Sequence, residues 1–374
     1  MRVTHLLLRD FRSYAAAEVG LGPGTTVVHG RNGAGKTNLL EALYFGCTGR
    51  SCRTATDREV VRFGARVARV ELEAEAEDGG HRIGVGIEPG ERKRIRVDGL
   101  EVERLTDVAG RPLAGVFLPD RLELIKGAPA LRRAHLDQVV AALWPARTET
   151  RRAYGRALAQ RNALLARIRS GRSGRAALTA WDGELARLGV ALMADRRGAT
   201  ERLAGPFERA ADELGLDGAP AVAYRARSRA RSPEELAQEL AERVDADLER
   251  GFTGHGPHRD DLVLTRERHE LRTYGSQGQQ RLGLLALLLA EREAIADVRG
   301  QPPLMLLDDV MSELDADRRR RLVELLERIG GQSVITTTDL DHVPGATATG
   351  VTRVAVADGA VVTAPTAVEA RAAA

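Results

Sequence analysis

Gly30-Arg31-Asn32-Gly33-Ala34-Gly35-Lys36-Thr37 fits the pattern G-x-x-x-x-G-K-[ST]. It lies between a strand-like run, Thr25 to His29, and a helix-like run with Leu39, Leu40, Leu43 and Tyr44 at i, i+3, i+4 spacing. Glycines at these positions let successive backbone N–H groups curl around phosphates. Lys36 is suited to the β- and γ-phosphates of a nucleotide, and the Thr37 hydroxyl to Mg2+. Arg31, Asn32, Ala34 and Asn38 complete the stretch expected to contact nucleotide. Far downstream, the apolar run Leu304 to Leu307 reads as a buried strand that delivers Asp308 and Asp309 at its C-terminal end. Ligands collect at that end of an open α/β sheet. Asp308 is expected to hold Mg2+ with Thr37, and Asp309 to orient or deprotonate the attacking water, with Lys36 as its catalytic partner. Alone, the aspartates would read as a capped turn; a phosphate loop in the same chain favours the catalytic reading.

A third group is Tyr274-Gly275-Ser276-Gln277-Gly278-Gln279-Gln280-Arg281, followed by a helix predicted over Gln279 to Ala296. It is similar to the signature loop of ABC-type ATPases. Ser276, Gln277 and Gly278 would form an anion site at the helix N-terminus, although a capped helix start has the same pattern. Ser312 to Asp315 looks like the D-loop of that family, and Thr336 to Asp339 occupies the switch position.

With the opening Leu8-Arg9-Asp10-Phe11-Arg12-Ser13-Tyr14 and the motif Gly256-Pro257-His258-Arg259-Asp260-Asp261-Leu262, these groups closely resemble the bacterial RecF family, in the same order and over essentially the whole chain. The resemblance implies an α/β fold: an ABC-type ATPase head, in which a mixed sheet bears the phosphate loop and an antiparallel β-subdomain adjoins it, with an inserted α-helical lobe. It implies an ATP-dependent DNA-binding protein of recombinational repair that binds gapped or duplex DNA without sequence preference. It further implies an ATP-dependent homodimer, with Ser276 facing the γ-phosphate held by the opposite subunit, and action with RecR and RecO in loading RecA. Two residues depart from general ABC ATPases. Thr338 stands where a switch histidine is common and Asp309 where glutamate is common, so slow turnover is expected. No Q-loop glutamine is assigned. The competing readings are an ATP-binding DNA adaptor without significant hydrolysis and, from another class, the nucleotide-binding subunit of a membrane transporter.

Other segments must position these groups. Val3 to Leu8 reads as a strand. Alternation around Asp78-Gly79-Gly80 and a strand pair around Asp98-Gly99 predict an antiparallel sheet over 60–118. From about Pro129 to Arg250 the pattern predicts several medium helices, interrupted near Trp144-Pro145, Ser170-Gly171, Gly205-Pro206 and Gly218 to Pro220. The head would then comprise 1–120 and 251–374, and the helical lobe 121–250, with an Ala-rich tail after about Pro365.

With 374 residues, 43% apolar and 29% charged, the composition fits a globular chain of two or three domains. The apolar run Leu282 to Ala290 is far short of the ~18–20 residues a membrane span requires, and no secretion signal is read, so a cytoplasmic protein without a membrane span is expected. Cys47 and Cys52 lack metal-site spacing. Arg92, Lys93, Arg94, Arg96 and the pairs Arg132-Arg133 and Arg151-Arg152 are candidate phosphate contacts. Aromatic residues at 3% favour duplex-backbone contacts over base stacking. His258 could approach the nucleotide, but a hydrogen-bonded structural histidine in the turn after Pro257 is the favoured reading, and Arg318 to Arg321 read as a solvated or partly packed helix start.

Overall fold

The computed structural model describes residues 1–105, 108, 110–118 and 122–362. The Ala-rich tail read from the sequence lies outside the described residues. In chain order the elements begin with β1 (Arg2–Phe11), β2 (Tyr14–Gly20), β3 (Thr25–His29), α1 (Lys36–Thr48), β4 (Ala68–Ala76), β5 (Gly79–Ile87), β6 (Arg94–Val97), β7 (Leu100–Val102) and β8 (Ala114–Phe117). Next come α2 (Glu123–Lys126), α3 (Pro129–Leu143), α4 (Thr148–Arg169), α5 (Leu178–Glu213), β9 (Ala221–Arg225), α6 (Pro233–Ala241), α7 (Val244–Arg250), β10 (Asp261–Arg266), β11 (His269–Glu270) and α8 (Leu271–Tyr274). The chain continues through α9 (Gln277–Arg299), β12 (Leu304–Leu307), α10 (Ala316–Ile329), β13 (Ser333–Thr337), β14 (Thr352–Ala357) and β15 (Ala360–Val362). They form two compact units, 1–120 with 295–374 and 121–294.

The first unit holds two six-stranded sheets. One runs β15-β14-β3-β13-β12-β8, parallel except for β15; the other runs β2-β1-β4-β5-β6-β7 and is antiparallel. Helix α1 packs against strands of both. This explains why Leu39, Leu40, Ala42, Leu43 and Phe45 are all fully buried instead of forming a single apolar stripe. Both faces of the parallel strands are covered as well, hence the unbroken Leu-Met-Leu-Leu of β12. The sheet expected over 60–118 differs in membership. β1 and β2 join it, whereas β8 pairs parallel with β12, Leu307 opposite Phe117.

The second unit consists of helices and the sheet β11-β10-β9. The sequence reading placed 251–294 with the head; the compact unit keeps these residues with the helices because β10 pairs along its length with β9, from Asp261 opposite Arg225 to Thr265 opposite Ala221. The expected break at Gly205-Pro206 does not occur, and α5 runs 36 residues with Pro206 inside. Proline removes one helical hydrogen bond, but buried Leu203, Phe207, Ala210 and Ala211 flank it and hold the helix together.

Candidate nucleotide site

The loop from Gly30 to Gly35 leaves the C-terminal end of β3, and the Asp308-Asp309 pair leaves that of β12. Strand β13 lies between them, so its C-terminal residues complete the site. The Gly30 N–H donates to the Thr337 carbonyl at 3.3 Å. Gly30 sits at φ 156°, and a Cβ there would stand 2.1 Å from the Val356 carbonyl oxygen. At Gly35, with φ 115°, a Cβ would lie 2.9 Å from the Tyr14 hydroxyl, which donates to the Gly35 carbonyl at 3.0 Å. Both positions therefore require glycine on steric as well as conformational grounds.

Lys36 is 7% exposed and places Nζ 2.7 Å from the Gly30 carbonyl and 3.0 Å from that of Arg31. Burial lowers its pKa, opposed by the nearby charges of Asp309 and Asp308. The Thr37 hydroxyl meets both carboxylate oxygens of Asp308, at 3.0 and 2.9 Å. The Thr336 hydroxyl donates to Asp308 Oδ1 at 2.7 Å and accepts from the Asp309 N–H at 2.9 Å. Burial raises the Asp308 pKa; the bonds from Thr336 and Thr37 oppose this, and neighbouring Asp309 adds to it. A buried carboxylate in this state is stabilised by a cation. With the Thr37 hydroxyl beside it, the site offers the hard oxygen donors that Mg2+ takes.

Asp309 occupies the left-handed region at φ 44°, where aspartate is among the better-tolerated residues. Ser312 Oγ lies 3.0 Å from Asp309 Oδ2 and holds that carboxylate in place. Beneath the loop, Glu41 of α1 is fully buried and takes a bidentate pair from Arg12 at 2.9 and 2.7 Å, together with Arg53 at 3.3 Å. Arg53 also reaches Asn38 Oδ1 at 3.0 Å, and Asn38 donates to Ser13 Oγ at 2.9 Å. Sequence reasoning singled out neither Thr336 as a link between the aspartates nor Glu41 as a hub. The available signal for Glu41 was a carboxylate inside the apolar run Leu39 to Phe45.

Ser276, Gln277 and Gly278 are exposed on the second unit, at the start of α9. The Ser276 N–H donates to Gln279 Oε1 at 2.9 Å, and the Gln279 N–H to Ser276 Oγ at 3.3 Å. These reciprocal bonds form a capping box. Of the other motifs, His258 lies between the Tyr154 hydroxyl, 2.7 Å from Nδ1, and the Thr253 carbonyl, 2.9 Å from Nε2. Burial pushes its pKa down to about 4, so it is a neutral structural residue. The arginines at 318–321 start α10, whose N-cap Asp315 accepts the Arg318 N–H at 2.9 Å.

One expected phosphate contact, Arg132, fails, and its half-buried neighbour Arg133 is partly engaged. Arg132 is 3% exposed and makes a bidentate pair with Asp261 at 2.7 and 2.8 Å, and Arg133 donates to the Asp260 carbonyl at 2.7 Å. A carboxylate brought in by tertiary folding consumes the first guanidinium, and a backbone oxygen engages the second. Lys93 pairs with Asp57 at 2.8 Å and Arg92 with Glu103 at 3.1 Å, while Arg94 and Arg96 stay exposed.

The RecF/RecN/SMC N terminal domain family model matches residues 2–361. A relative from Anaeromyxobacter sp. (strain Fw109-5), described as DNA replication and repair protein RecF, is 40% identical over 349 residues, covering 91% of this chain and 93% of its own. One of the same description from Streptomyces avermitilis is 38% identical over 374 residues, covering 96% and 99%. A solved structure of the recombination mediator protein RecF with ATP, from the RecFOR pathway, superposes with a TM-score of 0.85 at 28% identity, over 97% of both chains. The Smc head bound to the C-winged helix domain of ScpA has a TM-score of 0.59 at 16% identity, over 99% of this chain and 100% of its own, and shares the fold alone.

Proposed function

This chain belongs to the RecF/RecN/SMC N terminal domain family, and we propose that it is an ATP-gated DNA-binding protein of recombinational repair. In this reading two copies close on ATP, bind gapped or duplex DNA without sequence preference, and act with RecR and RecO in helping to load RecA. The single observation that carries the reading is the meeting of Thr37 with Asp308, residues 271 positions apart, at 3.0 and 2.9 Å beside the Lys36 ammonium. Mg2+, when bound there with nucleotide, would neutralise phosphate charge. The residues of this chain do the rest. Backbone N–H groups of the loop beyond Gly30 bind phosphate oxygens, and Lys36 exchanges its bonds to the Gly30 and Arg31 carbonyls for bonds to the nucleotide. Asp309, steadied by Ser312 and by the Thr336 bond to its N–H, orients the attacking water and accepts its proton.

Weak turnover fits Asp309 in place of a longer glutamate and exposed Thr338 in place of a histidine. Sedimentation of the protein alone, with Mg-ATP, and then with gapped duplex added tests the reading. A monomer becoming a dimer with ATP, and a larger complex with DNA, is expected; a species that stays monomeric throughout would refute it.

A further inference from the structure

Between Glu149 and Asp182 the chain carries eight arginines and no Asp or Glu. This stretch covers most of α4 and the turn into α5. Part of its charge is neutralised by more distant carboxylates. Arg161 is fully buried between Asp182 and Asp247, both at 2.6 Å, Arg151 pairs with Asp137 at 2.9 Å, and Arg175 pairs with Asp245 at 2.6 Å. At the tip this changes. Arg167, Arg169 and Arg172 are exposed, and among the described residues no carboxylate stands within ion-pair distance of any of them.

The tip is held in one shape. Helix α4 ends in a Schellman motif, with the Arg172 N–H on the Arg167 carbonyl at 2.8 Å, the Gly171 N–H on that of Ile168 at 2.9 Å, and Gly171 at φ 73°. Leu164, Leu165 and Leu178 form a small core beneath it, packed with Ile168 and Trp181. The helix C-terminus accounts for part of the charge, since the helix dipole stabilises cations in the last turn. It does not account for Arg172, which lies beyond the helix, or for the absence of acids along the whole stretch.

We infer that this tip is a contact surface for the phosphate backbone of duplex DNA, an inference that rests on the DNA-binding reading above. Guanidinium groups pair bidentately with phosphates. No aromatic residue lies between Leu165 and Leu178 on which an unpaired base could stack.

The test is the salt dependence of duplex binding with Mg-ATP, read by anisotropy of a labelled duplex for the wild type and for Arg167→Gln/Arg169→Gln/Arg172→Gln. Each lost phosphate contact lowers the slope of log affinity against log salt by about 0.9, so the triple variant should lose about 2.7. Its ATP affinity and ATP-driven dimerisation should be unchanged. A control carrying Arg197→Gln/Arg202→Gln/Arg229→Gln, at residues exposed elsewhere on the same unit, should keep the wild-type slope. An equal slope in the tip variant, an equal loss in the control, or a loss confined to single strands would overturn the inference while leaving the DNA reading intact. Failure of the wild type to bind duplex at all would overturn both. Should the triple variant fail to fold, Arg172→Gln alone, outside the helix, should lose about 0.9, and an unchanged slope there counts against the inference.

Discussion

Lys36 spends its hydrogen bonds on carbonyl oxygens of its own loop, at 2.7 and 3.0 Å, so it is already placed where phosphate oxygens would compete for it. Replacing it with methionine removes charge-assisted bonds worth ~1.5–3 kcal/mol. ATP affinity measured by calorimetry should fall at least about tenfold, and tight binding by the variant would refute the assignment. Asp309 differs in kind, because Asp308 rather than Asp309 receives the Thr37 and Thr336 hydroxyls. Asp309→Asn should therefore keep ATP affinity while turnover falls about a hundredfold or more; phosphate release at the original rate would show that it is not the base. The contact between Thr37 and Asp308 was legible in the sequence because each motif implies the other. Thr336 and Glu41 were not, because their partners arrive through strand order and helix packing. Arg132 was misread for the same reason: an arginine looks solvated until Asp261, 129 positions away, is folded against it.

At the scale of elements, the antiparallel sheet carries a titratable staple. The His81 ring places Nδ1 2.8 Å from Asp98 Oδ2 and Nε2 3.0 Å from Asp78 Oδ1, tying the β6–β7 turn to the β4–β5 turn. Carboxylates only accept, so both ring nitrogens must donate and the imidazolium is favoured. The bonds to Asp98 and Asp78 raise the His81 pKa accordingly. A raised folded pKa contributes stability that is fully present below the unfolded value of about 6.5 and is lost as pH rises through the folded value. The melting temperature of the wild type should exceed that of His81→Gln at pH 6, with the gap closing toward pH 9; a gap independent of pH would show that the bonds do not titrate. The Asp98-Gly99 hairpin was readable, since it is a local turn between alternating runs. The end of the helical unit near 294 was not. It depends on β9 pairing with β10, across a gap that local patterns do not bridge.

For the whole molecule, the proposed mechanism needs a second copy, because the phosphate loop and Ser276 would serve different nucleotides. Ser276 is exposed and caps α9 through its exchange with Gln279. Any substitution therefore has two effects to separate: loss of a cap, worth ~1 kcal/mol, and loss of a partner's phosphate contact. Ser276→Arg incurs both and adds bulk. Ser276→Asp keeps a good N-cap but sets a negative charge where the partner's γ-phosphate would dock. If the loop serves the opposite subunit, both variants should bind ATP as monomers with wild-type affinity, because the residues of 30–37, Asp308 and Asp309 are untouched. Ser276→Asp should also melt with the wild type, yet neither variant should form the ATP-dependent dimer in sedimentation. A capping role alone predicts the opposite ordering, with Ser276→Asp dimerising normally and Ser276→Arg merely less stable. ATP-driven dimers of Ser276→Arg at the wild-type threshold would rule out the shared site and leave a phosphate-loop ATPase whose nucleotide site is complete within one copy.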